Sequence, residues 1–482
     1  MSFDLEFFYT KKTKRRKKVE KTNNLIVGIQ ERPSSIGQWV VLSLQHVFAM
    51  FGATVLVPLL TGLDVGVALV ASGLGTLIYI VSTKGKAPVY LGSSFAYIAA
   101  IIASVLNSAN ALNVTVNGEV HTFSTIWGDA DAGVYGVMDA VNDGLFTFKD
   151  VYSSAFIGLI IVGLIYVVVA LIIKFVGSEW LKKLLPPVVI GPMIIIIGLG
   201  LAPVAISSAG LGGGAGWQIP LVAFVTFATV VAISLLGKGF VKIVPFIIAV
   251  LVGYLFAAAL GLVDFDTFAN YRFFQAPNFS IVGTYAVNWS SVLMFAPIAF
   301  VTIAEHIGDH TVLGEICEKD FITDPGLDKT LMGDGIATAI SGALGGPANT
   351  TYGENTGVVA MTKVGSVYVT GLAALFAISL GFFGYIQAFI NSIPWAVIGG
   401  MTIVLYGLIA GNGVKVLVKS QVNLGNMKNL IIVATMLVIG LGGASLPLND
   451  AVSLTGMSLA ALVGIGLNAL LNFFESKGLL NQ

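Results

Sequence analysis

Charge is scarce in this chain. Among 482 residues, lysine and arginine together number 25 and aspartate and glutamate 25, while 56% of positions are hydrophobic. A soluble protein of this length cannot bury so much apolar side chain, so the composition excludes a soluble globular fold and points to a polytopic protein of the lipid bilayer. Cysteine is nearly missing: Cys317 stands alone, which excludes intrachain disulfides and cysteine-based metal centres. The N-terminal stretch does not read as a cleavable leader. Residues 11–18, KKTKRRKK, are followed by polar sequence to about Gln38 rather than by a short apolar core and cleavage site. Residues 1–37 are therefore read as a basic cytoplasmic tail that helps set topology and touches anionic lipid, with no nucleic-acid partner.

What is abundant is apolar sequence. At about 20 residues per membrane helix, the apolar stretches place spans near 38–60, 65–83, 88–107, 152–176, 183–205, 218–237, 243–263, 289–314, 330–345, 347–363, 366–390, 394–411, 428–444 and 452–474. Fourteen spans put both termini on one side. With that side cytoplasmic, all but Lys149 and Arg272 of the 25 basic residues fall in the tail or in cytoplasmic loops. The segment 108–151, with Glu119, Asp129, Asp131, Asp139, Asp143 and Asp150, becomes an external loop whose acidity reads as solvated surface without calcium-loop spacing.

Two halves of seven are visible in the pattern. "GLGTLIYIVSTKGKAPVYLGSSFAY" (73–97) and "GIATAISGALGGPANTTYGEN" (335–355) each run from a glycine-containing helix through proline into a Ser/Thr/Gly-rich segment ending near an aromatic. Seven is odd, so the halves are inverted. Inverted repeats with short interrupted segments at matching positions mark secondary transporters, with the substrate site at the interruptions. "VYLGSSF" (89–95) and "ANTTYGE" (348–354) are too polar for lipid-facing helix, but suit two antiparallel strands in spans 3 and 10. Each strand then starts a half-helix, and the two helix N-termini aim at one place.

Ionisable residues point to the same region. Glu305 and Asp309 in "IAEHIGDHTV" (303–312), together with Glu354, lie inside spans away from their ends. Each costs about 2.5–3.5 kcal/mol at mid-bilayer, so such residues line polar cavities. Glu305 and Asp309 are one turn apart on one face, with Thr302 beside them. Two carboxylates so placed do not both ionise easily, which makes them a proton-coupling element; the plainer alternative is a pair of interhelical hydrogen bonds. His306 and His310 are each rotated about 100° from the neighbouring acid, so "EHIGDH" does not form a metal site. His46 is expected in an interhelical hydrogen bond, and Asp334 at the interfacial start of its span.

"LQHVFAMFGATVLVP" (44–58), "YLGSSFAY" (90–97), "IAEHIGDH" (303–310), "NTTYGENTGVVAMTK" (349–363) and "LYGLIAGNGVKVL" (405–417) resemble the motifs of the nucleobase–ascorbate transporter family, also called nucleobase:cation symporter-2, and within it the bacterial uracil permeases. The resemblance covers the chain after residue 30; the basic tail and the 108–151 loop are extra. It implies an all-α membrane protein of fourteen spans in a seven-plus-seven inverted repeat. A substrate-binding core would comprise 38–176 and 289–390, and a gate 183–264 and 394–474. It further implies a homodimer in the bacterial inner membrane, importing uracil by an elevator-type motion with H⁺ as coupling ion, Na⁺ remaining open, and no other cofactor. By the same resemblance, Glu305 and Glu354 accept the N–H groups of uracil and Phe95 and Tyr352 flank its ring. Ala53, Gly353 and the backbone around Phe95 complete the pocket, Tyr406 approaches from the gate, and Asp309 joins Glu305 in proton coupling.

Two signals in these motifs conflict. Asp309 stands where bacterial uracil permeases can carry histidine, as in purine-transporting relatives, whereas Glu354-Asn355 replaces the Gln-Asn with which purine transporters tend to begin the motif. Glu354 weighs more, because it would touch the ligand and a carboxylate rewards an N–H that an amide reads in either orientation. A purine symporter is the nearest alternative. An anion transporter of the same fold should offer a cationic or neutral site, yet carboxylates stand here without a buried Lys or Arg, Lys363 lying at a cytoplasmic end. An intramembrane enzyme lacks any Ser/His/Asp, paired-Asp or HExxH arrangement to support it.

Overall fold

In the computed structural model the apolar runs fold as helices, because each helix satisfies its own backbone groups where lipid cannot. The structure describes residues 25–116, 119–122, 137, 141, 147–280, 287–449 and 452–479. The KKTKRRKK cluster and most of the acidic 108–151 segment lie outside the described residues. The helices are α1 (Ile36–Thr61), α2 (Val65–Ser82), α3 (Ile98–Ala111), α4 (Phe148–Val176), α5 (Pro187–Gly200), α6 (Gln218–Leu236), α7 (Pro245–Ala259), α8 (Ala296–Cys317), α9 (Leu327–Leu344), α10 (Gly353–Thr362), α11 (Val367–Gly381), α12 (Trp395–Lys419), α13 (Met427–Leu441) and α14 (Gly456–Ser476), joined by shorter helical turns. Among the described residues eight helices are long and apolar enough to cross a membrane, and four apolar helices are shorter. The chain is a multi-pass membrane protein.

Helix ends follow the local sequence. Ser35 and Asp64 cap α1 and α2 by accepting the Gln38 and Val67 N–H groups. Gly62 closes α1 in the left-handed conformation at φ 70°, which costs glycine nothing. Helices approach closely where side chains are small: a Cβ on Gly163 of α4 would meet the Gly335 carbonyl of α9, and one on Gly191 of α5 the Leu417 side chain of α12.

The two expected strands form. β1 (Leu91–Ser93) pairs antiparallel with β4 (Asn349–Thr351), Gly92 opposite Thr350. Ser94 N–H to Ala348 O (2.8 Å) and Tyr352 N–H to Tyr90 O (3.1 Å) extend the ladder. Each strand is propped by the helix before it. Ser72 of α2 donates to Leu91 O (2.6 Å), and Thr338 of α9 donates to Asn349 O (3.1 Å). Within the repeat read between 73–97 and 335–355, Thr76 stands where Thr338 does and likewise donates to its strand, at Leu91 O (3.3 Å).

Other details differ from the sequence expectation. Two further hairpins occur, β2 (Asn113–Val116) with β3 (Glu119–Thr122) and β5 (Ser445–Asn449) with β6 (Val452–Thr455), so strand structure is not confined to spans 3 and 10. The stretch 366–390 is not one helix. It breaks after Gly381 because residues 382–384 instead bond the segment before the second half: Gln275 N–H to Phe382 O (3.0 Å) and Gly384 N–H to Phe273 O (3.1 Å). In the stretch beginning at 183, α5 starts only at Pro187, where a proline at the first turn loses no hydrogen bond.

Candidate functional site

The crossing of β1 and β4 places two helix starts beside α8. Beyond β1 the chain enters a tight turn at Phe95–Tyr97 that leads into α3; beyond β4, Tyr352 leads directly into α10. Neither start has a side-chain cap. The first N–H groups of a helix have no intrahelical carbonyl to accept them, so these starts can offer donors to a ligand, apart from the Glu354 N–H, which bonds its own carboxylate. Glycine at 92 is required by a close approach: a Cβ there would collide with the Tyr352 ring and the Thr54 hydroxyl.

α8 supplies the acids. Glu305 and Asp309, one turn apart on this helix, lie within electrostatic reach of Glu354 and also of Asp334, but neither lines the crevice that Glu354 faces. Asp309 is tied to the strand crossing, accepting from the Thr351 hydroxyl at 2.5 Å. Thr302, about one turn before Glu305, meets the Tyr97 hydroxyl at 2.8 Å. Between the acids, Gly308 has open space where a side chain would stand, as do Gly353 and Gly357 of α10.

His306 follows Glu305 directly but points away from the acids. Its Nδ1 lies 2.8 Å from Asp334 Oδ2, both side chains fully buried. The His306 ring stacks on His310 at 4.0 Å, and His310 in turn bonds the Tyr79 hydroxyl of α2. Asp334 is thus not the interfacial residue expected from its place near the start of a span. α9 begins earlier, at Leu327, and carries Asp334 into the packed interior against α8. This histidine row escapes a reading of the sequence because its partner sits on another helix, 28 positions away, where no spacing rule reaches. His46 does make an interhelical bond, receiving Asn355 Nδ2 at 3.0 Å.

The remaining expected site residues do not gather in one place. Ala53 and Glu354 line a crevice of ≈ 250 Å³ between α1 and α10 on one side and α7 and α12 on the other, with Gly357, Phe246, Met401 and Leu405 among its walls. Phe95 and Tyr406 do not line it. They belong to the adjoining apolar cluster, in which Tyr406 packs with Leu56, Ile98 and Met401. Tyr406 is buried, and among the described residues its hydroxyl has no hydrogen-bond partner. Tyr352 is buried too, its hydroxyl donating to Ser93 O (2.9 Å) and lying 3.2 Å from the Thr54 hydroxyl. Its ring packs against Gly92 and its polar end is already bonded, and it does not line the crevice. Among the described residues no group of three or more His, Cys, Asp or Glu side chains is gathered as a metal site.

Residues 37–449 match the model of a family described as "Permease family". The uracil permease of Bacillus caldolyticus is 45% identical over 454 residues, 93% of this chain and 95% of the relative. That of Bacillus subtilis (strain 168) is 39% identical over 455 residues, 92% of this chain and 95% of the relative. Among solved structures, SLC26A9 superposes with a TM-score of 0.66 at 13% identity, covering 92% of this chain and 66% of that one. At that identity the likeness is one of fold alone.

Proposed function

Because the chain belongs to the nucleobase–ascorbate transporter family, close to the uracil permeases, we propose that it imports uracil across the plasma membrane by proton symport. The observation that carries this reading is Glu354, which stands in the first turn of the uncapped helix α10 and faces the crevice. Uracil is a small planar ring with alternating N–H donors and C=O acceptors. Carboxylates match the donors, helix-start N–H groups match the acceptors, and an apolar wall matches the ring.

In this reading Glu354 and Glu305 accept the uracil N–H groups, and the N–H groups at Gly353 and Phe95 donate to its carbonyls. Phe95 and Tyr352 bound the ring, Ala53 closes the floor, and Tyr406 approaches from the gate. Asp309, held by Thr351, shares the coupling proton with Glu305. One proton lowers the charge shared by Glu305 and Asp309, which favours binding and release in step with protonation. The core (38–176 and 289–390) moves against the gate (183–264 and 394–474), and the crevice between α1/α10 and α7/α12 is the route opened to one side. Both termini are cytoplasmic, the membrane is the bacterial inner membrane, and the carrier works as a homodimer.

A purine substrate is the second reading, favoured by Asp309 itself. Anion transport, suggested by fold likeness alone, is opposed by the three carboxylates at the site. The test is uptake of labelled uracil into proteoliposomes, with and without an inward proton gradient and with excess xanthine. Gradient-stimulated uptake that ignores xanthine supports the uracil:H⁺ symporter; no uptake, or uptake blocked by xanthine, overturns it.

A further inference from the structure

Residues 25–31 precede the first membrane helix, and the transport reading makes no use of them. Val27 and Ile29 are buried, while Ile26 and Gln30 face outward, the period of two that a strand requires. This segment runs parallel to residues 363–367, the joint between α10 and α11. Ile26 N–H donates to Lys363 O (2.7 Å), Gly365 N–H to Val27 O (3.1 Å) and Val367 N–H to Ile29 O (2.9 Å). Side chains continue the seam. The Ser366 hydroxyl donates to Glu31 O at 2.5 Å, Trp39 Nε1 to Tyr368 O at 2.8 Å, and the Arg32 guanidinium lies 4.6 Å from the Tyr368 ring centre.

The joint matters because α10 is only ten residues long. A helix so short has little stability of its own, so its ends must be held from outside. The N-terminal end is held by β4 and by the bond from Asn355 to His46. At the C-terminal end, Lys363 closes the helix in the left-handed conformation at φ 55°, and its carbonyl is the one that Ile26 takes. Ile29 also belongs to one apolar cluster with Val359 of α10 and with Leu313 and Cys317 of α8. The segment thus shares one apolar cluster with both helices that carry the site carboxylates.

We propose that residues 25–31 are a positioning strap: by fixing the C-terminal end of α10 they set where Glu354 stands in the crevice, and hence the affinity for substrate. The proposal rests on the reading of Glu354 as a substrate ligand. At 1.5 Å per residue Glu354 lies about 13 Å along the helix from Lys363, so a tilt of about 5° moves it by about 1 Å. A displacement of that size is enough to spoil a positioned hydrogen bond.

The test uses the full chain and three variants: removal of residues 1–24, removal of 1–31, and Ile26→Pro. The last deletes the N–H given to Lys363 while the Ile26 side chain, 56% exposed, loses little packing. Two reporters do not depend on any substrate. Native Cys317, buried in the cluster beneath the strap, reads its detachment by maleimide labelling. In a Cys317→Ala background, Gly357→Cys reads the placement of α10 from the crevice wall. Removal of 1–24 should leave both labelling rates and the KM for uracil unchanged. Removal of 1–31 should expose Cys317, change the Gly357→Cys labelling rate about threefold or more, and raise KM about tenfold with kcat little altered, as expected for one or two lost hydrogen bonds. Ile26→Pro should act in the same direction by about fivefold in KM. Unchanged Gly357→Cys labelling and KM in Ile26→Pro overturn the strap, and this variant decides if the shortened chain does not fold. Should the parent protein not carry uracil at all, the substrate reading falls, while Gly357→Cys labelling still decides the strap.

Discussion

Replacing Glu354 by glutamine keeps the size of the side chain and removes its charge. Glu354 is half-buried and opens onto the crevice, so an amide there can be hydrated when the site is empty and folding should be unaffected. A hydrogen bond to a charged acceptor contributes about 1.5–3 kcal/mol, and the substitution leaves at best a neutral one of about 1 kcal/mol. The loss of about 0.5–2 kcal/mol predicts a uracil Kd raised by roughly 2- to 30-fold. Because glutamine also offers a donor, discrimination between uracil and xanthine should narrow or reverse. The assay is equilibrium binding of labelled uracil to purified protein with xanthine as competitor. Glu315→Gln serves as the control: Glu315 lies at the far end of the same helix as Glu305, in an exposed pair with Lys419 at 2.7 Å, a kind of pair that contributes little. Equal affinity and equal selectivity in Glu354→Gln and the parent chain would remove Glu354 from the site and with it the main argument for a pyrimidine.

Other substitutions separate the remaining roles. Asp309→Asn should bind uracil but no longer accumulate it against a proton gradient in proteoliposomes; lost binding with coupled residual transport would reverse the parts given to Asp309 and Glu305. Asp334→Leu leaves the buried His306 without its hydrogen-bond partner and should destabilise the fold by about 1–3 kcal/mol, read as a lower thermal-unfolding midpoint in detergent, with Asp334→Asn milder; an unchanged midpoint for the leucine variant would show that the pair does not hold α8 to α9. Gly92→Ala should disrupt the strand crossing, since its methyl group meets the Tyr352 ring. Gly357→Ala, which enters open space, should leave the protein as monodisperse on size-exclusion chromatography as its parent; equal behaviour of the two alanine variants would contradict the close packing at Gly92.

Much of the site is legible in the sequence because membrane burial makes polar residues conspicuous. Three carboxylates and two Ser/Thr/Gly-rich interruptions stand out from apolar sequence, and the strands fall within the stretches 89–95 and 348–354 that the composition marks. Asp334 is misread for the same reason. Hydropathy reports depth along one helix and carries no information about the facing helix, so a residue close to an assumed boundary looks interfacial. The break after Gly381 and the pairing of Ser445–Asn449 with Val452–Thr455 depend on backbone pairing rather than on hydropathy. Residues 25–31 carry no membrane signal at all, and their alternation acquires meaning only beside the 363–367 joint.

The strand crossing also bears on how such a chain is made. Leu91 and its partner Thr351 lie 260 positions apart, so the first half of the protein enters the bilayer long before its complement has been synthesised. Until then 91–93 has no strand to pair with; α2 can satisfy Leu91, whose C=O accepts from Ser72 and whose N–H donates to Thr76, but lipid offers nothing to the residues after it. Biogenesis must shelter that segment, in the translocon or in transient pairing with α2, and final assembly waits for β4. Neither half is then a self-sufficient folding unit, and two separately expressed halves should regain the native crossing only by finding each other in the membrane.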